Sequence, residues 1–298
     1  MKKVIVFGGS GFLGSYVADA LTARNYDVVI ADINESLYLR PEQSFVHCDI
    51  LDQNAVMEAI RGAPIVYNFA GLADLNDSIS RPHETLEQNV MGNINILEAC
   101  RKNETERFVY ASSAYALSAK GSFYGISKFA SEKIVEEYAT RFNLDFCVLR
   151  YGSIYGERAD KHNGLYRLLK TALTTGEIRH KGNGEEVREY IHAVDAATLS
   201  VDVIEDAKFH NQHLMLTGVE RLKYKDLLRM IQEILNDEVK VNLSHDEQEG
   251  HYQVTPYSFQ PNAGRKLTAN PFIELGQGLV NCIKTIHPRL CPILFVNQ

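Results

Sequence analysis

The sequence predicts an α/β fold: a doubly wound parallel sheet with a smaller mixed α/β lobe seated on its carboxyl end. Three observations carry this. Short apolar runs rich in Val, Ile, Phe and Tyr alternate with segments of helical period as far as residue 150, a glycine-rich turn directly follows the first run, and the alternation loosens afterwards. Strands that alternate with helices pair in parallel through right-handed crossovers and bury both sheet faces, which suits strands that are apolar throughout.

The expected strands are Val4 to Phe7, Val28 to Ala31, Phe45 to His47, Ile65 to Phe69, Phe108 to Ala111 and Phe146 to Leu149. Between them, Phe12 to Arg24 places Leu13, Val17, Ala20 and Leu21 on one face at helical spacing; Ala55 to Ile60, Thr85 to Cys100 and Ser127 to Phe142 are the other helical segments. Beyond Arg150, one helix is expected at Leu165 to Thr174, a strand at His213 to Leu216 and an amphipathic helix at Tyr224 to Leu235. This divides the chain into a cofactor-binding body, 1–150 with a returning segment near 190–217, and an interleaved substrate-side lobe within 151–298.

Length and composition narrow the function. The 298 residues are 45% hydrophobic and 23% charged, enough for a large core without disulfides. A net charge of −7 supplies no basic field for nucleic acid. Cys48, Cys100, Cys147, Cys282 and Cys291 fall in no metal-ligand spacing and read as reduced thiols of a cytoplasmic protein. No apolar run is long enough for a secretory leader or a membrane span, so neither membrane nor metal is expected.

The turn after the first strand, Gly8-Gly9-Ser10-Gly11-Phe12-Leu13-Gly14, spaces its glycines as GxxGxxG. Glycine there lets the backbone take positive φ, approach a pyrophosphate and pack the following helix on the strand, while that helix turns its N-terminal amides toward the phosphates. Asp32 ends the second strand, where a carboxylate accepts both adenosine ribose hydroxyls and repels a 2′-phosphate, so the expected cofactor is NAD rather than NADP. Asp49 and Ile50 after the third strand, and Ala70 and Gly71 after the fourth, occupy the same edge and are candidates to line adenine and pyrophosphate. By contrast, Gly182-Asn183-Gly184 lacks a third glycine and a preceding strand and reads as a turn.

Tyr124 and Lys128 stand four residues apart, on one helix face. A free phenol titrates near 10, and a neighbouring cation favours its phenolate, the form that takes a proton from a hydroxyl. Tyr166 and Lys170 share the spacing, but only Tyr124 follows a strand tipped by serines, Ser112 and Ser113.

Together, GGSGFLG, Asp32, Ser112-Ser113 and Tyr124-Gly125-Ile126-Ser127-Lys128 resemble the extended short-chain dehydrogenase/reductase family, the NAD-dependent nucleotide-sugar epimerases and dehydratases. Asn89 to Asn93 is similar to that family's NVxGT helix, Arg150 to Gly156 to its RxxNxYG, and Gly182 to Asp195 to its GxGxxxRDFxxVxD; the likeness covers roughly residues 1–240. It implies a Rossmann-like fold, Tyr124 as acid/base, Lys128 as its activator and ribose ligand, and Ser113 as partner of the reacting oxygen. It further implies Asn89 as a structural residue on the cofactor side, Arg188 and Asn163 as substrate contacts, and a homodimer built on Thr85 to Cys100 and Ser127 to Phe142. The fixed charge of a guanidinium suits Arg188 to a diphosphate.

The sequence also departs from that pattern. Ten residues separate Ser113 from Tyr124, a shorter connection than in relatives, and Ser153 replaces the asparagine of RxxNxYG. Ala114-Tyr115 stand where dehydratases carry Asp-Glu, which favours oxidation, reduction or epimerisation over water loss. The expected activity is hydride transfer at C4 of a nucleotide-activated sugar, as an epimerase or as a dehydrogenase or reductase; the alternative of another class is a silent NAD-binding regulator, against which the retained Ser113, Tyr124 and Lys128 argue.

Overall fold

Alternation along the first strand decides the layering. Val4 and Val6 belong to one core and Ile5 and Phe7 to another, so a single run of apolar residues supplies both faces of the sheet. In a computed structural model, which describes residues 1–244, 253, 255–256 and 264–288, the chain opens with β1 (Lys3–Phe7), α1 (Phe12–Ala23), β2 (Asp27–Asp32), β3 (Ser44–His47), α2 (Gln53–Ile60) and β4 (Ile65–Asn68). It continues through α3 (Leu75–Ser80), α4 (Pro82–Leu86), a π-helical turn (Glu87–Met91), α5 (Gly92–Lys102), β5 (Arg107–Ser113), a 3-10 turn (Ala114–Leu117), α6 (Ser122–Phe142) and β6 (Asp145–Tyr151). The second half holds β7 (Ser153–Tyr155), α7 (Gly164–Thr175), β8 (Glu177–Lys181), β9 (Val187–Arg188), β10 (Tyr190–His192), α8 (Ala193–Glu205) and β11 (Gln212–Leu216). Then follow β12 (Leu222–Lys223), α9 (Tyr224–Ile234), β13 (Lys240–Ser244), β14 (Arg265–Leu267) and α10 (Leu275–Ile286).

Eight strands form the main sheet in the order β14-β11-β6-β5-β4-β1-β2-β3, every pair parallel. The winding reverses between β1 and β4, and the crevice outside their carboxyl ends is where such sheets bind ligands. On one face α1 and α8 pack Val17, Leu21, Ala196, Ala197 and Val201 against the strands. On the other, α2, α5 and α6 contribute Val56, Ile96, Leu97 and Val135. Phe108 and Ile5 are fully buried, and each such side chain contributes about 1.5–3 kcal/mol. A third core joins α7, β8, α9 and α10 through Leu169, Ile178, Leu227, Ile231 and Leu279.

The expected α/β sheet is observed, with differences of detail. The helix expected at Thr85 to Cys100 is interrupted by the π turn, a register change that commonly accompanies functional sites. Gly92, which restarts it, packs against Ile50: a Cβ there would lie 2.4 Å from Ile50 Cδ1, so that side chain would have to move. The helix expected from Ser127 begins at Ser122, so Tyr124 sits in its first turn. Helix α8 was not anticipated, because Ala193, Ala196, Ala197, Leu199, Ser200, Val201 and Val203 are all buried and the segment lacks a clean polar stripe. Gly182 and Gly184, both at positive φ, do form a turn, but strand β8 precedes it, contrary to expectation, because β8 alternates buried and exposed residues in a short polar run. Cys48, Cys100, Cys147 and Cys282 are free and buried; Cys291 lies outside the described residues.

Candidate active site

The turn between β1 and α1 is closed so tightly that only glycine fits. A Cβ on Gly14 would sit 2.2 Å from the Gly8 carbonyl oxygen, and Gly8, at φ +71°, would press on Ala70. Gly11 is the N-cap of α1 and no side chain caps that end, so Phe12 and Leu13 begin the helix with amides available to an anion. Asp32, at the end of β2, accepts the Ser10 amide at 3.1 Å and the Asn34 amide at 3.2 Å, which fixes its carboxylate beside the turn. An uncapped helix end supplies donors for a pyrophosphate and a backbone-fixed carboxylate an acceptor for ribose hydroxyls, and these residues fit NAD.

The neighbouring edge residues are held by Asn89. The π turn swings its side chain inward, where Oδ1 accepts the Leu72 amide at 2.7 Å and Nδ2 donates to the Leu72 carbonyl and the Ser127 hydroxyl. Gly71 is glycine for the same reason, since a Cβ there would lie 2.3 Å from Asn89 Oδ1. Asp49 accepts the Leu51 amide and turns the chain after β3, and Ile50 is buried beneath Gly92. Thus Gly8, Gly11, Phe12, Leu13, Gly14, Asp32, Ala70, Gly71 and Asn89 share the carboxyl edge, with Asp49 and Ile50 at its flank.

Ser113 ends β5 and Tyr124 faces it from the first turn of α6; hydrogen bonding from Ser113 counters the upward pull of burial on the Tyr124 phenol. The short connection closes through the 3-10 turn: the Tyr115 carbonyl lies where Cβ atoms on Gly121 and Gly125 would be, at 2.6 and 2.7 Å, and the Tyr115 ring meets Tyr124 edge-on at 6.4 Å. Lys128 is buried one turn on, its Nζ donating to the Ala111 carbonyl at 2.8 Å and standing 5.9 Å from the Tyr124 ring centroid. Burial pulls its pKa down to about 8, against the opposing charge of Glu132.

Burial raises the Tyr124 phenol above its ordinary value and outweighs the hydrogen bond from Ser113. The Lys128 ammonium is turned toward Ala111 and the Tyr110 ring, 5.0 Å away.

Beneath Lys128 lies a network absent from the sequence reading. Glu132, fully buried, accepts Ser112 Oγ at 2.5 Å and Arg150 through Nε at 2.9 Å and Nη2 at 2.6 Å. The only advance signal was spacing, since Glu132 repeats the Tyr124–Lys128 interval once more along the same helix face. Arg158 was also missed. Its guanidinium lies 4.4 Å from both the Tyr16 and Tyr38 ring centroids and bonds Asp19 at 2.6 Å, tying the loop after β7 to α1.

The two expected substrate contacts stand in the second half of the chain. Asn163 caps α7, accepting the Tyr166 amide at 3.1 Å and donating to the Ile154 carbonyl at 2.8 Å, so its amide is engaged by the protein. Arg188 stands on β9, half-buried, beside Tyr224 of α9. The rival Tyr166–Lys170 pair lies on α7, an exposed cation 5.7 Å from the centroid of a half-buried ring.

Residues 4–216 match the model of the NAD dependent epimerase/dehydratase family. The chain belongs to that family. It is 28% identical over 215 residues to a putative UDP-glucose 4-epimerase of Methanocaldococcus jannaschii, spanning 65% of this chain and 70% of that protein. With the uncharacterized UDP-glucose epimerase YtcB of Bacillus subtilis it shares 22% identity across 94% of this chain and 96% of the relative. Its fold matches the crystal structure of UDP-glucuronic acid 4-epimerase from Bacillus cereus in complex with UDP-glucuronic acid and NAD, with a TM-score of 0.84 at 21% identity over 96% of this chain and 99% of that one. The UDP-glucose 4-epimerase of Thermotoga maritima with UDP-glucose gives 0.81 at 20% identity over 97% and 99%. The expected family and sheet architecture are therefore both observed.

Proposed function

We propose that the protein uses NAD to act on a nucleotide-activated sugar, by proton and hydride exchange at C4 of the hexose. The observation that supports this reading above all is the meeting of Ser113, Tyr124 and Lys128 at the sheet edge that also carries Gly8, Gly14 and Asp32. When bound, NAD takes a hydride from a sugar carbon and can return it. The chain itself manages the proton. Burial holds Tyr124 as a neutral phenol, which donates its proton to a ketone oxygen and becomes the phenolate; the reverse transfer, from a hydroxyl, is made by that phenolate, the form that positive charge beside it favours. Ser113 supports the reacting oxygen, and Lys128, anchored on Ala111, serves the ribose side.

In this reading the cofactor body comprises 1–150 with 190–217, and the substrate-side lobe the remainder of 151–298. Arg188 supplies a fixed positive charge to the diphosphate, and Asn163 shapes the start of α7. Ala114 and Tyr115, which offer no carboxylate behind Ser113, favour epimerisation or oxidation over dehydration.

We also read the protein as a cytoplasmic homodimer. Leu86, Met91, Ile126 and Phe129 expose apolar side chains on α4, the π turn and α6, a face that a second copy covers. Among the described residues no helix is long and apolar enough to cross a membrane, and the described cysteines are free thiols.

The test is incubation of the protein with NAD and UDP-, GDP-, dTDP- and CDP-sugars, following NADH absorbance and sugar stereochemistry together. A new epimer without NADH marks an epimerase, and accumulating NADH a dehydrogenase. Failure to bind or convert any of them removes the assignment. Light scattering of the eluted protein at micromolar concentration decides the dimer.

A further inference from the structure

One ion pair bridges the two halves of the chain near the proposed reacting site. Asp74 follows the loop of Gly71 and Leu72, which Asn89 ties to Ser127, and Ser127 in turn donates to the Tyr124 carbonyl at 2.8 Å. Across from it, Arg167 of α7 reaches over with Nη1, 3.3 Å from Asp74 Oδ2 and 2.9 Å from the Lys161 carbonyl oxygen. On its own side the charges of Arg167 and Arg188 both act on the half-buried Tyr224 phenol. One of these two guanidiniums is thus held by a carboxylate from the first half of the chain.

The pair is built to part. Arg167 is about half exposed, and such a pair contributes at most about 1 kcal/mol. Asp74 does not depend on it, because Oδ1 accepts the Asn76 and Asp77 amides at 2.8 and 3.0 Å as the cap of α3. Among the described residues, Nε and Nη2 of Arg167 make no hydrogen bond, which leaves part of a planar fork for a second anion.

We propose that Arg167 is a specificity-determining residue that exchanges Asp74 for an anionic group of the substrate, either the diphosphate common to nucleotide sugars or the carboxylate of a uronic acid sugar. This rests on the nucleotide-sugar reading above. Asp74 is then the resident competitor, holding the guanidinium in place across the cleft until substrate arrives.

The experiment measures kcat and KM of the full chain with NAD on a UDP-hexose and on the matching UDP-hexuronic acid, for wild type, Arg167→Gln and Asp74→Asn. Arg167→Gln is expected to lower kcat/KM by roughly 10- to 100-fold, the scale of one charge-assisted hydrogen bond. An equal loss on both substrates identifies the diphosphate, and a loss confined to the uronic acid identifies its carboxylate. Asp74→Asn, which removes the competitor and keeps a capping side chain, is expected to lower KM several-fold for the same substrate. Unchanged kinetics in Arg167→Gln on every substrate the wild type converts, or a raised KM in Asp74→Asn, overturns the proposal while the nucleotide-sugar reading stands. A wild type that neither binds nor converts either substrate overturns both.

Discussion

Replacing Glu132 by Gln tests whether the platform under Lys128 is held by charge. The carboxylate is fully buried and takes two hydrogen bonds from Arg150, at 2.9 and 2.6 Å, and a third from Ser112. Removing one member of such a pair leaves the other charge without compensation in a low-dielectric interior, which costs about 3–5 kcal/mol. For a chain of this size that corresponds to a fall in Tm of about 5–15 °C, read by circular dichroism on cofactor-free protein. The double variant Glu132→Leu/Arg150→Met removes both charges and is expected to regain most of the loss, since apolar replacement of a buried pair is commonly neutral or better. A fall below about 2 °C in the single variant, or a double variant no more stable than Glu132→Gln, refutes the reasoning.

Tyr124→Phe is expected to lose at least 100-fold in kcat while binding NAD as before, measured by cofactor titration beside turnover. Asp32→Ala should erode the preference for NAD over NADP, because a fixed carboxylate beside the phosphate turn repels a 2′-phosphate; the ratio of the two kcat/KM values checks it. Lys128→Met should stabilise the cofactor-free protein at pH 7 by roughly 1–3 kcal/mol at the expense of turnover. Its folded pKa of about 8 lies below the unfolded value, so the folded state carries an unfavourable charge below pH 8. That disadvantage vanishes as the pH rises from 8 toward the unfolded pKa, so urea melts of wild type and variant should converge over that range. Gly14→Ala should lose NAD binding and about 1–3 kcal/mol of stability, since its Cβ would meet the Gly8 carbonyl at 2.2 Å.

The sheet was legible because its strands are apolar on both faces and its turns carry glycine where the backbone is crowded. Val4 to Phe7 and the glycines after it could be placed from spacing alone. The helices α8 and α10 were less visible: one is buried nearly all round and the other follows a stretch without period. The reacting trio was legible through the four-residue interval and the serine-tipped strand, both local signals. Glu132, Arg150 and His213 meet only after β5, α6, β6 and β11 come together, a long-range coincidence that no local window contains. Asn89 lay between these cases. Its position was suggested by motif, but its reach to Leu72 depends on a turn of irregular register that composition does not encode.

That irregular turn reaches further than its five residues. By widening one coil it frees the Asn89 carbonyl, which Ser131 takes at 2.8 Å, while the same residue's amide grips Leu72 and Ser127. The loop under the cofactor edge and the α6 helix that bears Tyr124 are thereby riveted at one point, and Met91, two positions along, looks outward into solvent. One amino acid between an outward-facing helix turn and the helix of the phenol thus sets the spacing of both, so a change at position 89 alters the loop and the helix together.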